Sequence, residues 1–503
     1  MKRFCENLPV VLVFLTVAGS SWIFGGARSS LLFPVMPWLW ALALETLLFF
    51  PQRHMHESIS DARARVWKAL SRDPIVYTSI AFMLVLVMPI FNRGLCQICD
   101  YPMILSGIDP APPIPYSPFC VNIREHLGVV VWFVPALTAM MAVRHSLLRS
   151  GRRLLVHFIV WNGAALAALG FIQQATGAKA PFWSDIPNLA HYFSSFGYPN
   201  KAGAFFVALF AVSAGLWQDN VRRYFSTERD RKMLEMESNP TERMCPQWIK
   251  THYMLIPTGL TFFAALATLS RAAIMLSFSV LAFWFVYLCL SLFTRHKNIK
   301  RVKLHLWMIV GVLFTVVLVS VFAPKEFTDE VQTLDSKSVA DRMTGKAQYH
   351  ARVATEIFKD YPVFGVGGWG YKHFCLQYMT DAERKQLQKV GGVNVHNDYL
   401  QILCEHGIVG GAFLLAVVLM LFLPLFRYWG QALKIAHFTK GKDIPHPTAL
   451  FCVPAVAVGV LIASAANMSH AFGDCIFRSA ALLSQFMLLL AAVEGFLPKD
   501  KEA

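Results

Sequence analysis

Apolar residues in this chain come in long unbroken runs. Twelve stretches, near 7–25, 30–50, 75–91, 127–143, 154–174, 203–217, 252–269, 272–294, 304–323, 407–426, 449–469 and 479–496, are free or nearly free of Lys, Arg, Asp and Glu. Their lengths approach the ~20 residues that an α-helix needs to cross the hydrocarbon core of a bilayer. Glu45 and Glu494 are the acidic intruders, and both fall near span ends. The pattern predicts an all-α integral membrane protein of about 12 transmembrane helices. The first run follows Met1-Lys2-Arg3, has no small-residue cleavage site and is followed by eleven more spans, so it reads as a retained helix. The segment 324–404, between spans nine and ten, is the one polar piece long enough to shape a site outside the membrane. It divides the chain into spans one to nine (1–323), a large loop (324–404) and spans ten to twelve (405–503).

Composition removes the soluble alternatives. Apolar residues make up 55% against 15% charged, with 40 Phe and 13 Trp, more aromatic bulk than a soluble enzyme of this size can bury. The 46 Lys and Arg exceed the 31 Asp and Glu by 15, which on a soluble chain would suggest nucleic acid. Their placement says otherwise. With a cytoplasmic N-terminus, 29 of the 46 fall in inside segments, ten in the loop 324–404, and the other seven are scattered over the short outside loops. The positive-inside rule counts short loops and discounts long ones, so both termini are expected to be cytoplasmic and the long loop periplasmic. The excess charge is then topology, with no nucleic-acid partner implied. No Walker or dinucleotide glycine motif is present, which argues against an ATP-driven pump within this chain. The inside loop 218–250 carries both signs of charge and reads as a solvated connector whose basic residues touch anionic headgroups. Cys96, Cys99 and Cys120 share an outside loop and permit one disulfide, with Cys375 a candidate fourth partner. A metal site there lacks a His or acidic residue at ligand spacing.

The chemistry is sought in the long loop. Residues 338–374 (SVADRMTGKAQYHARVATEIFKDYPVFGVGGWGYKHF) show helical periodicity from about Asp341 to Asp360; Pro362 ends it, and Gly365, Gly367, Gly368 and Gly370 make a tight, backbone-exposed turn. Then VNVHNDYLQILCEHGIVGGAFLL (393–415) runs from polar residues directly into span ten, placing His396 and Asn397 at the N-terminus of a membrane helix. Unpaired N–H groups and the positive dipole end favour an anion there and favour a neutral imidazole able to accept a proton. The plainer reading makes Asn397 a helix cap and His396 an interfacial residue.

Four pieces, in order, resemble the O-antigen ligase and polymerase superfamily of bacterial inner-membrane glycosyltransferases. His396-Asn397, nine residues, then Gly407-Ile408-Val409-Gly410 is similar to its H-N-x9-G-x-x-G signature, with Glu405 two before the first Gly. DYPVFGVGGWGY (360–371), SFGYPNKAGAFF (195–206) and SRAAIMLS (270–277) resemble three further family segments, and the twelve-span layout agrees. The resemblance implies transfer of a preassembled glycan from undecaprenyl diphosphate to a periplasmic acceptor: a lipid A core, another glycan or a protein. It implies neither metal nor cofactor.

The residues suit such chemistry. A lipid diphosphate leaving group calls for guanidinium clamps. Arg271 is the first candidate, at a tip between spans seven and eight where cations are otherwise avoided. A family arginine precedes the Pro-x-x-Gly turn, but a Trp that normally follows it is missing here, so Arg342 and Arg352 compete for the role, with Lys346 weaker. Asn200 and Lys201, at the outer start of span six, can contact sugar or phosphate. His396 is the expected general base, in an inverting reaction. Asp398 and Glu405 are expected to orient it or bind sugar hydroxyls, although Glu405, nine residues on, lies about 180° round an ideal helix from His396 and is better placed to pair with Arg271 or another span. Gly407, Gly410 and Gly411 read as close helix packing. A polyprenyl tail needs a lipid-open groove, which aromatic runs such as 278–290 would suit. Polymerase and protein-glycosylating activities share the donor chemistry. A lipid-linked glycan transporter is the non-enzymatic alternative, but would predict charges inside spans and pseudo-symmetric halves.

Overall fold

The computed structural model describes residues 2–26, 32–93, 114, 116–184, 192–234, 251–293, 311, 346–390, 394–438 and 453–498. These form helices α1 (Lys2–Trp22), α2 (Met36–Leu48), α3 (Ile59–Leu70), α4 (Pro74–Val87), α5 (Ile123–Ser146), α6 (Arg149–Ala175), α7 (Pro199–Leu234), α8 (Leu255–Ala267), α9 (Arg271–Phe293), α10 (Lys346–Asp360), α11 (Gly370–Tyr378), α12 (Asp381–Val390), α13 (Asp398–Phe438), α14 (Ala455–His470) and α15 (Ala480–Ala492). Among the described residues the only β-type pairings are two isolated bridges. Among the described residues six helical stretches are long and apolar enough to cross a membrane: 74–91, 123–146, 149–175, 199–223, 271–290 and 398–434. Five shorter apolar helices among them, at 6–22, 36–48, 255–267, 455–470 and 480–495, overlap other predicted spans. Span nine, 304–323, lies outside the described residues, as do Arg342, Cys96 and Cys99.

The two ends of the bundle differ in their polar chemistry. At one end Arg144, near the end of α5, reaches Asp73 at 2.6 Å and Glu494 at 2.8 Å, and Arg152 on α6 reaches Glu494 at 2.7 Å. Glu494, the apparent intruder, is thus the anionic partner of two arginines. At the same end Asp219 of α7 accepts the N–H groups of Ala455 (2.7 Å) and Val456 (3.0 Å), capping α14 from a neighbouring helix. Such a cap satisfies donors that the first turn of a helix leaves open. The opposite end holds the starts of α5, α7, α9, α13 and α15, and there the long-loop segment docks. α10 and α11 bury Val353, Ile357, Tyr371 and Phe374 with Phe119 and Val121 in a satellite core.

The dock is a backbone splice. α13 is broken at Gly407 (φ 63°, ψ −168°), a conformation open essentially to glycine alone. The break interrupts the helical ladder, and the turn after Pro362 repairs it: Val366 N–H donates to Cys404 O (3.1 Å) and Gly367 N–H to Glu405 O (2.8 Å). In the other direction, Ile408 N–H donates to Pro362 O (2.8 Å) and Val409 N–H to Val363 O (3.1 Å). A Cβ on Gly407 would lie 2.2 Å from Val363 O, and one on Gly365 would lie 2.4 Å from the Glu405 carbonyl carbon. Gly407 is therefore a break and not the packing glycine expected from the sequence; a Cβ on Gly410 would lie 2.5 Å from that of His406 in its own helix and 3.6 Å from Cγ1 of Val85 on α4. Gly407→Ala should cost about 1–3 kcal/mol, lowering the thermal midpoint of the solubilised protein. Gly430→Ala, on the same helix with no atom near its Cβ, should leave that midpoint unchanged or raise it.

Candidate functional site

Asn397 caps α13, accepting the N–H groups of Tyr399 (3.0 Å) and Leu400 (3.1 Å) on its side-chain oxygen. His396, just before the cap, sits at φ 54°, in the left-handed region that costs a bulky residue strain. Its ring keeps 38% of its side-chain surface exposed, while Nδ1 lies 3.3 Å from Oδ1 of Asp474, a carboxylate only 4% exposed. One imidazole edge is thus held from within and the other remains reachable.

Asp474 is the centre of the site. Its Oδ2 accepts Tyr198 Oη–H at 2.6 Å and the Asn200 amide at 2.5 Å, and its Oδ1 accepts Cys475 N–H at 2.7 Å. Burial alone pushes the carboxyl upward, but the hydrogen bonds from His396, Tyr198 and Asn200 outweigh it and hold the group well below the usual carboxylate range. Asp474 is therefore an anion and can only accept, so the proton in the 3.3 Å contact resides on His396 Nδ1, which leaves Nε2 as the basic nitrogen. Burial and the same carboxylate push the Tyr198 phenol up, keeping it a donor.

The chain of contacts continues into a third element. Asn200 Oδ1 accepts Ser270 Oγ–H at 2.7 Å, so Arg271, the half-buried first residue of α9, follows a residue two hydrogen bonds from Asp474. Close crossing of α7 and α9 makes this reach possible: a Cβ on Gly203 would lie 2.3 Å from that of Ala273. Lys201 turns to the interior, where its ammonium donates to Arg478 O at 2.7 Å and lies within electrostatic reach of Asp474 and Asp398.

Asp398 holds the loop that carries Asp474. Its N–H donates to Ala471 O at 2.9 Å and its carboxylate accepts Phe477 N–H at 2.8 Å, so both ends of the 471–477 turn hang on one residue. Glu405 forms a buried ion pair with Arg478 and accepts the Gln401 amide at 2.7 Å. Its partner thus comes from the loop between α14 and α15; of the two partners expected, Arg271 or another span, it is not Arg271. The Arg478 guanidinium lies 4.1 Å from the Trp369 ring centroid, an arrangement that stabilises cation and ring together. Trp369 belongs to the glycine-rich turn, whose Gly368 N–H donates to His126 Nδ1 at 2.8 Å; His126 Nε2 lies 2.8 Å from Leu86 O. That ring is thereby fixed as the Nε2–H tautomer.

Arg352 does not converge on His396. It pairs with Glu356 (2.8 Å) and Glu383 (2.7 Å) on the exposed face of α10, while His350, two residues earlier and about 200° round the helix, is buried with its ring 6.1 Å from that of His396. His350 Nδ1 is 2.6 Å from the Tyr371 hydroxyl. Neither His350 nor the pair Asp474 and Arg478 was singled out from the sequence. A signal for the pair existed: they are the only charged residues between 449 and 493. The cysteines show no bridge among the described residues. Cys120 and Cys375 are free and buried, and burial pushes their thiols up to about 11 and about 12.

The fold and the site together define a helical protein of multi-pass membrane type, with an imidazole–carboxylate centre at one end of its bundle. Residues 256–415 match the family model described as O-antigen ligase, which bears out the resemblance to the O-antigen ligase and polymerase superfamily. Three of the four motif segments lie inside that range; SFGYPNKAGAFF (195–206) lies outside it. No curated protein matches the chain.

Two outcomes follow for stability. Glu405→Gln leaves Arg478 buried without its counter-ion and should cost about 3–5 kcal/mol, read as a lower thermal midpoint. Asp474 has a depressed folded-state pKa, so its contribution is complete above the ordinary carboxylate value of ~4 and is lost as pH falls through the depressed value. The difference in thermal midpoint between the native protein and Asp474→Asn should therefore be constant above about pH 5 and shrink in stronger acid.

Proposed function

We propose that this protein is a membrane glycosyltransferase that moves a preassembled glycan from undecaprenyl diphosphate to an acceptor hydroxyl. The observation that carries the reading is the hydrogen-bonded chain His396–Asp474–Asn200–Ser270, which joins three segments of the O-antigen ligase resemblance around one partly exposed imidazole. The family match over 256–415 supports the same reaction class.

In this reading the acceptor oxygen attacks the anomeric carbon as its proton passes to His396 Nε2. The bond from that carbon to the bridging phosphate oxygen breaks, and the electron pair leaves with the diphosphate. A single in-line displacement inverts the anomeric centre. Asp474 holds the ring in the Nδ1–H tautomer and stabilises the imidazolium as it forms. Arg271, which follows Ser270 of this chain, is assigned to the diphosphate. Arg352, which is committed to two glutamates, is the weaker of the two loop candidates, so Arg342 stands as the second clamp. Twelve spans, cytoplasmic termini and a periplasmic site in the bacterial inner membrane complete the proposal, supported by the distribution of Lys and Arg. Ligase, polymerase and protein-glycosylating variants share this donor half-reaction, and lipopolysaccharide ligation is the one the family description favours.

The test is transfer by the full-length protein in lipid nanodiscs, from an undecaprenyl diphosphate glycan to lipid A core, with products resolved by gel and anomeric configuration by NMR. His396→Ala and Asp474→Asn should each lower the rate about 10²–10⁴-fold, and Arg271→Ala should lower it comparably. Retention of full activity by His396→Ala and Arg271→Ala would end the transferase reading.

A further inference from the structure

The end of the bundle away from His396 holds a second concentration of charge. Arg144 and Arg152 are matched there by Asp73 and Glu494. Asp219 is taken by the N–H groups of Ala455 and Val456 and lies 3.9 Å from Arg222. Two further arginines, Arg149 and Arg153, stand four residues apart on one side of α6, with roughly 5–6 Å between their Cβ atoms. The Arg149 guanidinium has no hydrogen bond or ion pair among the described residues. Arg153 donates from Nε to Gly495 O at 2.6 Å and lies 5.8 Å from the centroid of the Phe496 ring. Its two terminal nitrogens have no partner among the described residues.

Like charges at this spacing repel, and a third cation adds to the repulsion. Arg153 lies within electrostatic reach of both Arg149 and Arg223 of α7, and His157, one turn further along α6, is within reach of Arg223 as well. Asp219, the carboxylate in reach of Arg153, is already engaged. Charge of one sign is thus gathered from two helices beside the turn that follows α15. Two guanidinium forks with open donor positions match the oxygens of a phosphate group, which each fork can chelate in pairs.

The adjoining strip of α6 decides what bears the phosphate. It carries Phe158, Trp161 and Ala165, apolar residues that are half-buried or exposed. Trp161 lies about 80° round and roughly 12 Å along the helix from Arg153. A free anion gains nothing from such a strip. A phospholipid does, because its phosphate meets the arginines at the rim while its acyl chains run along the apolar surface. Basic recesses between spans on the cytoplasmic side suit anionic headgroups, and this end is the cytoplasmic one in the topology proposed from the distribution of Lys and Arg.

We infer that Arg149 and Arg153 form a binding site for the phosphate of an anionic phospholipid, at the end of the bundle opposite the imidazole–carboxylate centre. The site is independent of the transferase reading and holds whether or not that reading does.

Native mass spectrometry of the detergent-solubilised full-length protein, titrated with phosphatidylglycerol, phosphatidylcholine or inorganic phosphate, reads the binding directly. Phosphatidylglycerol should bind about tenfold tighter than phosphatidylcholine, and an equal concentration of inorganic phosphate should not displace it. Arg149→Gln should weaken phosphatidylglycerol about fivefold, and Arg149→Gln combined with Arg153→Gln about 30-fold. Arg53→Gln combined with Lys68→Gln removes two exposed cations at the same end and should leave the affinity within about twofold of the native value. The lipid-free thermal midpoint of Arg149→Gln should match that of the native protein, which separates lost binding from lost fold. Undiminished binding by the double arginine variant, or equal loss in the Arg53 and Lys68 variant, would overturn the site. Displacement by inorganic phosphate would overturn the assignment to a lipid.

Discussion

Everything at the active end depends on one constraint: backbone groups inside an apolar bundle must find partners within the protein. A continuous α13 would meet that demand by itself. The break at Gly407 does not, and the turn after Pro362 supplies the two donors and two acceptors that the break leaves open. The long-loop segment is thus hydrogen-bonded into a membrane helix as though it were part of it. From this splice the rest follows in order: the turn places Trp369 against Arg478, Arg478 pairs with Glu405, and Gly368 locks the His126 tautomer. The turn after Pro362 and the break at Gly407 are two halves of one joint.

The second organising element is the 471–478 turn. It brings an anion and a cation into a place where the surrounding sequence has neither, and each is consumed by a different job. Asp474 gathers four donors from three parts of the chain, whereas Arg478 compensates Glu405. Buried singly, either charge would be costly. Paired and hydrogen-bonded, they fix the relative positions of α7, α13, α14 and α15. The site is accordingly held by polar contacts between helices and by the packed small residues that let those helices approach, Gly203 above all.

Most of the fold was legible because a membrane span declares itself by length and apolarity, with no need of partner information. Eleven of the twelve predicted runs coincide with helices, and the capping role of Asn397 followed from its position before an apolar run. That the segments carrying His396, Asn200 and Ser270 come together was legible only through the resemblance, since nothing in local spacing tells that residues 200, 270 and 396 meet. The rest was hidden for physical reasons. Gly407 opens the apolar run 407–426, directly after Glu405 and His406, and a break there is indistinguishable by periodicity from a packing glycine; only the φ and ψ of the folded chain separate the two. Arg352 was drawn toward the site by sequence distance from Pro362, but the face of α10 that turns inward carries His350 instead. Asp474 was passed over because a short loop between two apolar helices carries no motif.

The orientation of the His396 ring joins these observations. An imidazole before a helix cap, at a left-handed backbone angle, is an arrangement that a chain adopts only when its neighbours over-determine it. Here the cap is set by Asn397, the following residue is tied to both ends of the 471–477 turn, and the turn returns Asp474 to the ring. The strain at His396 is therefore maintained by three contacts within three residues of sequence. An imidazole so held needs no reorganisation to keep its other edge clear of the Asp474 contact, because the residue that fixes the turn, Asp398, directly follows the cap.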